Sequence, residues 1–281
     1  MLSFTHNNIL YSIAIPAYPV NLIIDHFVFM NGNGKQISER LFPNNKTEIF
    51  FNLGDRVSGI NHWDASTPEI KYNIISGVRH TYFDFYPPKN FKMAGLRFTL
   101  FGFGQLFKQP AYHFTDNNFS ANDVFGKETE FLHERLYEAQ NAGSVFLILN
   151  DWIYNRIFDC SLQEIIKWNK LGKMFHEQVV PVSAQIDKYM GYSHKHAIKL
   201  IKHYSGLKPK EIKHIYRFDK TLKEISVIQS QSWAGFADGN NYADQSHFIR
   251  DFKRYSGYTP MEYLTIKPRE YHYNKVQPTG L

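Results

Sequence analysis

The chain has 281 residues, 43% of them hydrophobic, a single cysteine and a formal net charge of +6 at pH 7. That length and apolar content supply two domains with a core each. The lone Cys160 excludes an internal disulfide and any multi-cysteine metal centre, and core packing is the role expected of it.

The charge is unevenly shared: residues 1–169 carry a net −2 and residues 170–281 a net +8. The basic surplus therefore sits in the second half, the bias a phosphate-binding surface needs. The N-terminus lacks a basic start before an apolar stretch. Runs such as Val145 to Leu149 fall far short of the roughly 20 residues a membrane span needs. A cytoplasmic protein with no membrane partner is expected.

From Pro16 to about Leu100 short apolar or alternating runs predict strands at Leu22 to Phe29, Glu48 to Leu53, Tyr72 to Ser76, Thr81 to Tyr86 and Gly95 to Leu100. Turn residues separate them at Asn31 to Gly34, Pro43 to Asn45, Asp64 to Pro68 and Pro87 to Pro88. Strands with no helices between them predict an antiparallel β-barrel or sandwich. Phe50, Phe51, Tyr72, Phe83, Phe85 and Phe98 are candidates for its interior, and Arg97 or His80 for orienting a ligand there. "GNGK" at Gly32 to Lys35 lacks the spacing of a phosphate loop and reads as a hairpin turn, and "GFG" at Gly102 to Gly104 reads as another turn. His62, His80 and His113 lack a metal-ligand arrangement, so no metal and no cofactor are expected.

Two flanking helices follow. Lys127 to Gln140 places Phe131, Leu132, Leu136 and Ala139 on one side, and Ser144 to Phe158 is apolar nearly all round. A helix of that kind must be covered on most sides, part of it by packing on the β-domain, with a dimer seam as the candidate for the rest. Ser161 to Glu164 reads as a capping box for a further helix leading into the second domain, 170–281.

That second domain writes one pattern twice. Laying Ser193–Glu211 over Asp244–Glu262 gives eight identities in nineteen positions: His196/His247, Ile198/Ile249, Lys202/Lys253, Tyr204/Tyr255, Ser205/Ser256, Gly206/Gly257, Pro209/Pro260 and Glu211/Glu262. In the first copy Gly191 supplies a left-handed turn, Ser193 caps a helix, and Ala197, Leu200, Ile201 and Tyr204 form its buried stripe. In the second, Asn241 takes the turn, Asp244 the cap, and Phe248, Phe252 and Tyr255 the inward face. The opposite faces carry His194, Lys195, Ile198, Lys199 and Lys202, and Gln245, Ser246, Ile249, Arg250, Lys253 and Arg254. Gln and Arg make bidentate contacts to purine edges, and an isoleucine methyl meets a thymine methyl. Asp244, Gln245, Ser246 and His247 include the residue types of a hydrolytic triad, but consecutive helical residues diverge by about 100° and cannot converge on one atom. No catalytic residue is assigned.

"GYSHKHAIKLIKHYSGLKP" and "NYADQSHFIRDFKRYSGYTPMEYL" resemble the two helix-turn-helix units of the AraC/XylS family of bacterial transcription regulators. The resemblance covers roughly 100 residues and implies two recognition helices in successive major-groove segments of one face of double-stranded DNA, joined by a rigid helix from Lys210 to Glu224. It implies that His194, Lys195, Ile198, Lys199, Gln245, Ser246, Ile249 and Arg250 face the bases, while Lys202, Lys208, Lys253, Arg254 and Thr259 hold phosphates, the helix N-termini near Lys208 and Thr259 assisting. It implies a cupin-like first domain that senses a small-molecule effector, and so an α+β protein with an all-α second domain. Two positions depart from the family: Asp187 stands where a small alanine is usual, and Asn241 where glycine is. The sequence leaves open whether the first domain binds an effector, forms a homodimer or contacts RNA polymerase, and whether the protein is an activator or a repressor. A cupin-like enzyme and an architectural DNA binder are the rival readings.

Overall fold

The structure is a computed structural model that describes residues 1–34, 39–70, 72–177, 186–225 and 232–266. Among these the strands are β1 (Leu2–His6), β2 (Ile9–Ala14), β3 (Ile24–Gly32), β4 (Glu39–Leu41), β5 (Glu48–Asn52), β6 (Val57–Asn61), β7 (Glu69–Ile70), β8 (Asn73–Ser76), β9 (Phe83–Tyr86), β10 (Phe91–Phe98) and β11 (Asn118–Ser120). One sheet runs β1-β2-β3-β10-β5-β8-β11 and the other β4-β9-β6-β7. Neighbours are antiparallel throughout.

Of the two architectures expected, barrel or sandwich, the sandwich is the one observed, because the sheets stay open at their edges. Tyr11, Val28 and Met93 from the larger sheet bury against Val57, Phe83 and Phe85 of the smaller one. The alternation of inward and outward residues places Phe51 and Leu96 on the opposite face, under the helices.

Several expectations are corrected. β3 runs on through the predicted turn at Asn31 and Gly32, because both pair with β2 and β10. The chain leaving it enters the other sheet at β4, so "GNGK" is not a hairpin turn; its Lys35 lies outside the described residues. "GFG" is not a turn either but opens helix α1 (Gly102–Phe107). A Cβ on Gly104 would stand 2.6 Å from the backbone oxygen of Tyr204, so this glycine permits helix-to-helix approach. The β1–β2 hairpin was not predicted, although Asn7 and Asn8 adopt φ of 46° and 61°, as a two-residue type I′ turn requires. Tyr72, a candidate interior residue, is 58% exposed.

Two short helices, α2 (Ala121–Phe125) and α3 (Lys127–Glu138), precede α4 (Ala142–Ile157) and α5 (Leu162–His176). Leu132 and Leu136 of α3 are buried as expected, whereas Phe131 points out, since α3 meets the sheet on a narrower stripe than its apolar residues span. Val145, Leu149, Trp152 and Ile153 bury α4 on the sheet, while Leu147 and Phe158 remain exposed. Asn141 caps α4 and Ser161 caps α5, each accepting from the amide three residues on. Cys160 packs at the edge of this core, its Sγ 3.7 Å from the Arg156 carbonyl.

The second domain contains α6 (Ile186–Met190), α7 (His194–Ser205), α8 (Pro209–Glu224), α9 (Trp233–Gly239), α10 (Gln245–Ser256) and α11 (Pro260–Ile266). Its core is continuous with the first domain. Trp168 of α5 meets Phe101 at 4.8 Å and Tyr204 of α7 at 4.7 Å, and Phe42 lies edge-on to Phe218 of α8 at 5.9 Å. α5 thus runs across residue 169, burying Trp168, Leu171 and Phe175 in the shared core.

Candidate nucleic-acid interface

Each copy of the repeat is a helix, a left-handed turn and a second helix. Gly191 has φ of 73° and its amide donates to the Asp187 carbonyl; Asn241 holds the matching turn at φ 58°. Asp244 caps α10 by accepting from His247 N at 2.7 Å. Ser193 occupies the equivalent position in extended conformation without a side-chain bond. Asp187, one of the two departures from the family pattern, finds a partner in His194 Nδ1 at 2.9 Å.

Half of the eight identities are explained by one turn built twice. Ser205 Oγ donates to the Ile201 carbonyl and accepts from Leu207 N; Ser256 Oγ does the same with Phe252 and Tyr258. Gly206 and Gly257 follow in left-handed conformation, φ 83° and 79°, each amide closing on the lysine four residues back. Pro209 and Pro260 open the next helices. Glu211 and Glu262 accept from the backbone N–H of Lys208 and Thr259, both at 2.7 Å. A carboxylate therefore occupies each of the helix N-termini expected to assist with phosphates; the Lys208 side chain is exposed, whereas Thr259 Oγ1 accepts from Glu262 N at 3.3 Å.

The stripes fall inward as expected, with Ala197 and Ile201 of α7 and Phe248 and Phe252 of α10 fully buried. The outward rows are open. His194, Lys195, Lys199, Lys202 and Lys208 are exposed, as are Gln245, Ser246, Arg250, Lys253 and Arg254, while Ile198, Ile249 and Thr259 are half-buried. Lys202 Nζ lies 5.3 Å from the Tyr112 ring of the first domain, and the Arg254 carbonyl accepts from Thr81 Oγ1. The paired histidines diverge: His196 is exposed beside Tyr192, and His247 Nε2 approaches Asp251 at 3.4 Å.

Two positioning residues, Arg217 and Arg40, carry no signal in the sequence, and a third takes a role other than the expected one. Arg217 of α8 lies on the Tyr242 ring at 4.0 Å and donates to the Asn241 carbonyl and to Asp251, tying the linker helix to the second turn and to α10. Arg40 of β4 forks onto Asp84, is flanked by the rings of Tyr82 and Tyr258, and donates to the Ser256 carbonyl. His80, considered as a ligand-orienting residue, instead sits at the domain junction between Asp116 at 2.8 Å and Glu211 at 3.8 Å. Arg217 stands three and four residues from Lys213, His214, Lys220 and Thr221, a polar row that carries no local signal of this role.

The fold is thus that of a β-sandwich protein carrying a DNA-binding helix-turn-helix domain. Residues 187–266 match the family described as "Helix-turn-helix domain", and residues 13–120 match a domain of unknown function, DUF6597. The two repeated strings that resemble the AraC/XylS units both lie within the matched residues 187–266. No curated protein matches the sequence. Solved structures similar to the chain include ToxT from Vibrio cholerae O395, 13% identical over 85% of this chain and 97% of that one, with a TM-score of 0.39. A second ToxT structure from Vibrio cholerae is 14% identical over 91% and 98%, with a TM-score of 0.40. A third, described as unsaturated fatty acid bound wild-type ToxT from Vibrio cholerae strain SCE256, is 13% identical over 85% and 94%, with a TM-score of 0.37. The described residues contain no helix long and apolar enough to cross a membrane.

Proposed function

We propose that the protein is a sequence-specific, effector-responsive transcription regulator that sets α7 and α10 into successive major-groove segments roughly 34 Å apart. The observation that carries this reading is the duplicated helix with its outward row open: Lys195 and Lys199 on α7, Gln245, Ser246 and Arg250 on α10. His194, Ile198 and Ile249 complete the base-facing rows; Lys202, Lys208, Lys253, Arg254 and Thr259 hold phosphates. The first domain, which shares a core with the second, gives an effector a route to DNA affinity if it binds the two arrangements unequally.

Copies pair through α4, where exposed Leu147, Tyr154 and Phe158 mark one side, and RNA polymerase is the partner that turns occupancy into transcription. Selection from a random DNA pool by the purified chain tests the central claim. A bipartite site with two half-sites one helical turn apart is expected, and sequence-indifferent retention overturns it.

A further inference from the structure

Between the two sheets lies a cavity of about 70 Å³. At 10–15 Å³ for each water-sized group, it has room for roughly five to seven of them. Val57, Ile74, Phe83 and Met93 make its lining mostly apolar. Two carboxyl and two guanidinium side chains also reach it, and three of these four have close partners. Arg97 and Glu48 neutralise each other, Nε to Oε1 at 2.6 Å. Glu39 accepts from Asn7 Nδ2 and Tyr11 Oη, and its burial pushes the carboxyl pKa up.

Arg79 is the exception. It is only 9% exposed, yet no carboxylate of the described residues forms an ion pair with it. Its guanidinium lies on the Phe83 ring at 4.6 Å and donates to neutral oxygens: Asn118 Oδ1 at 2.5 Å, Ser76 Oγ at 3.4 Å, and the Asn61 side-chain and Asp116 backbone oxygens at 3.5 Å. Burial lowers its pKa; Asp116, Glu48 and Asp64 act on it only at longer range. A buried cation without a paired anion is costly, and the cost is offset when a ligand brings the anion.

We propose that this cavity binds a small organic monocarboxylate of about five to seven non-hydrogen atoms, with its carboxylate on Arg79 and its hydrocarbon part against Val57, Phe83 and Met93. Both Nη nitrogens already donate to protein oxygens, and a carboxylate would take over the long contacts to Asn61, Asp116 and Ser76, exchanging neutral acceptors at 3.4–3.5 Å for a charged one. Phosphate or sulfate would turn further oxygens toward an apolar wall, and a neutral ligand would leave the cation unpaired. The proposal rests on the effector-responsive reading above and gives that effector its chemical class.

The test is calorimetric titration of the full chain with sodium butyrate, with butyramide as the uncharged analogue and octanoate as the overlong one. One saturable butyrate site is expected, with butyramide and octanoate at least tenfold weaker. Arg79→Gln should weaken butyrate at least tenfold. Ile74→Phe, which keeps Arg79 and fills the cavity, should do likewise, so the result does not hang on one variant's folding. Equal binding of butyrate and butyramide, no binding of any linear acid from acetate to hexanoate, or wild-type affinity in either variant would overturn the proposal. DNA selection is a separate readout: a chain that selects a bipartite site but ignores butyrate sinks only the ligand assignment.

Discussion

Arg40 Nη1, in the first domain, donates to the backbone carbonyl of Ser256 at 3.1 Å, at the last turn of α10. The same guanidinium forks onto Asp84, whose other contact is His62 Nε2 at 2.8 Å, and sits between Tyr82 and Tyr258. One side chain thus joins the smaller sheet to the second helix-turn-helix unit. Arg40→Ala leaves a mostly buried Asp84 without its main counter-ion and should lower unfolding free energy by about 3 kcal/mol. Urea unfolding of the variant checks this, and a loss below about 1 kcal/mol would mean solvent replaces the contact.

The first unit is held at the equivalent turn. Thr115 Oγ1 donates to the Gly206 carbonyl at 3.2 Å, so the two Tyr-Ser-Gly turns, 51 residues apart in the alignment, both rest on the first domain. A Cβ on Gly206 would come within 2.9 Å of Thr115 Oγ1 and Val78 Cγ2, and one on Gly257 within 2.5 Å of the Tyr82 ring. Gly191 has the same left-handed backbone but nothing within 4 Å. Gly191→Ala should therefore cost only backbone strain, roughly 1–2 kcal/mol, whereas Gly206→Ala and Gly257→Ala add overpacking for a total of roughly 2–5 kcal/mol. Equal losses at all three positions in chemical denaturation would show that the first domain does not press on these turns.

How much of this was legible follows from sequence distance. The caps and turns of the second domain close over two to four residues, as in Asp244 with His247 or Ser256 with Tyr258, so local chemistry showed them. The arginines of the first domain were opaque. Arg40 meets Asp84 across 44 residues, Arg97 meets Glu48 across 49, and Arg79 meets Asn118 across 39, pairings that only the sheet topology creates. Arg97, a candidate for the interior by its place in a strand, does line the cavity, whereas its neighbour there, Arg79, lies in no strand and follows no alternation. Short edge strands such as β4, β7 and β11 hold two or three residues, too few to show a period of two.

His80 makes the domain junction sensitive to pH. Burial pulls the imidazole pKa down, but the hydrogen bond and charge of Asp116, with Glu211 adding and Arg254 opposing, leave it raised above the ordinary 6.5. The protonated form is therefore the one that the fold favours. Its contribution is complete below the unfolded value and is lost as pH rises through the folded one. Comparing thermal unfolding of the wild type with His80→Gln, the wild-type advantage should be largest near about pH 5.5 and fade at about pH 9. A difference that stays constant with pH would assign His80 a packing role alone.

Arg250 and Lys253 separate reading from holding on a single helix. Both are exposed on α10, Arg250 nearer its N-terminal end and Lys253 in its last turn, where its carbonyl accepts from Gly257 N. A guanidinium presented to the groove forks onto one guanine, so Arg250→Ala should cost about 1–3 kcal/mol on the preferred site and relax selection at one base pair. An ammonium on a phosphate senses no base. Lys253→Ala should weaken every sequence alike and reduce the slope of log affinity against log salt by about one unit. Binding titrations on the selected site and on single-base variants, each over a range of salt, distinguish the two. If both variants lose affinity uniformly, α10 lies across the backbone, and base selection belongs to another element.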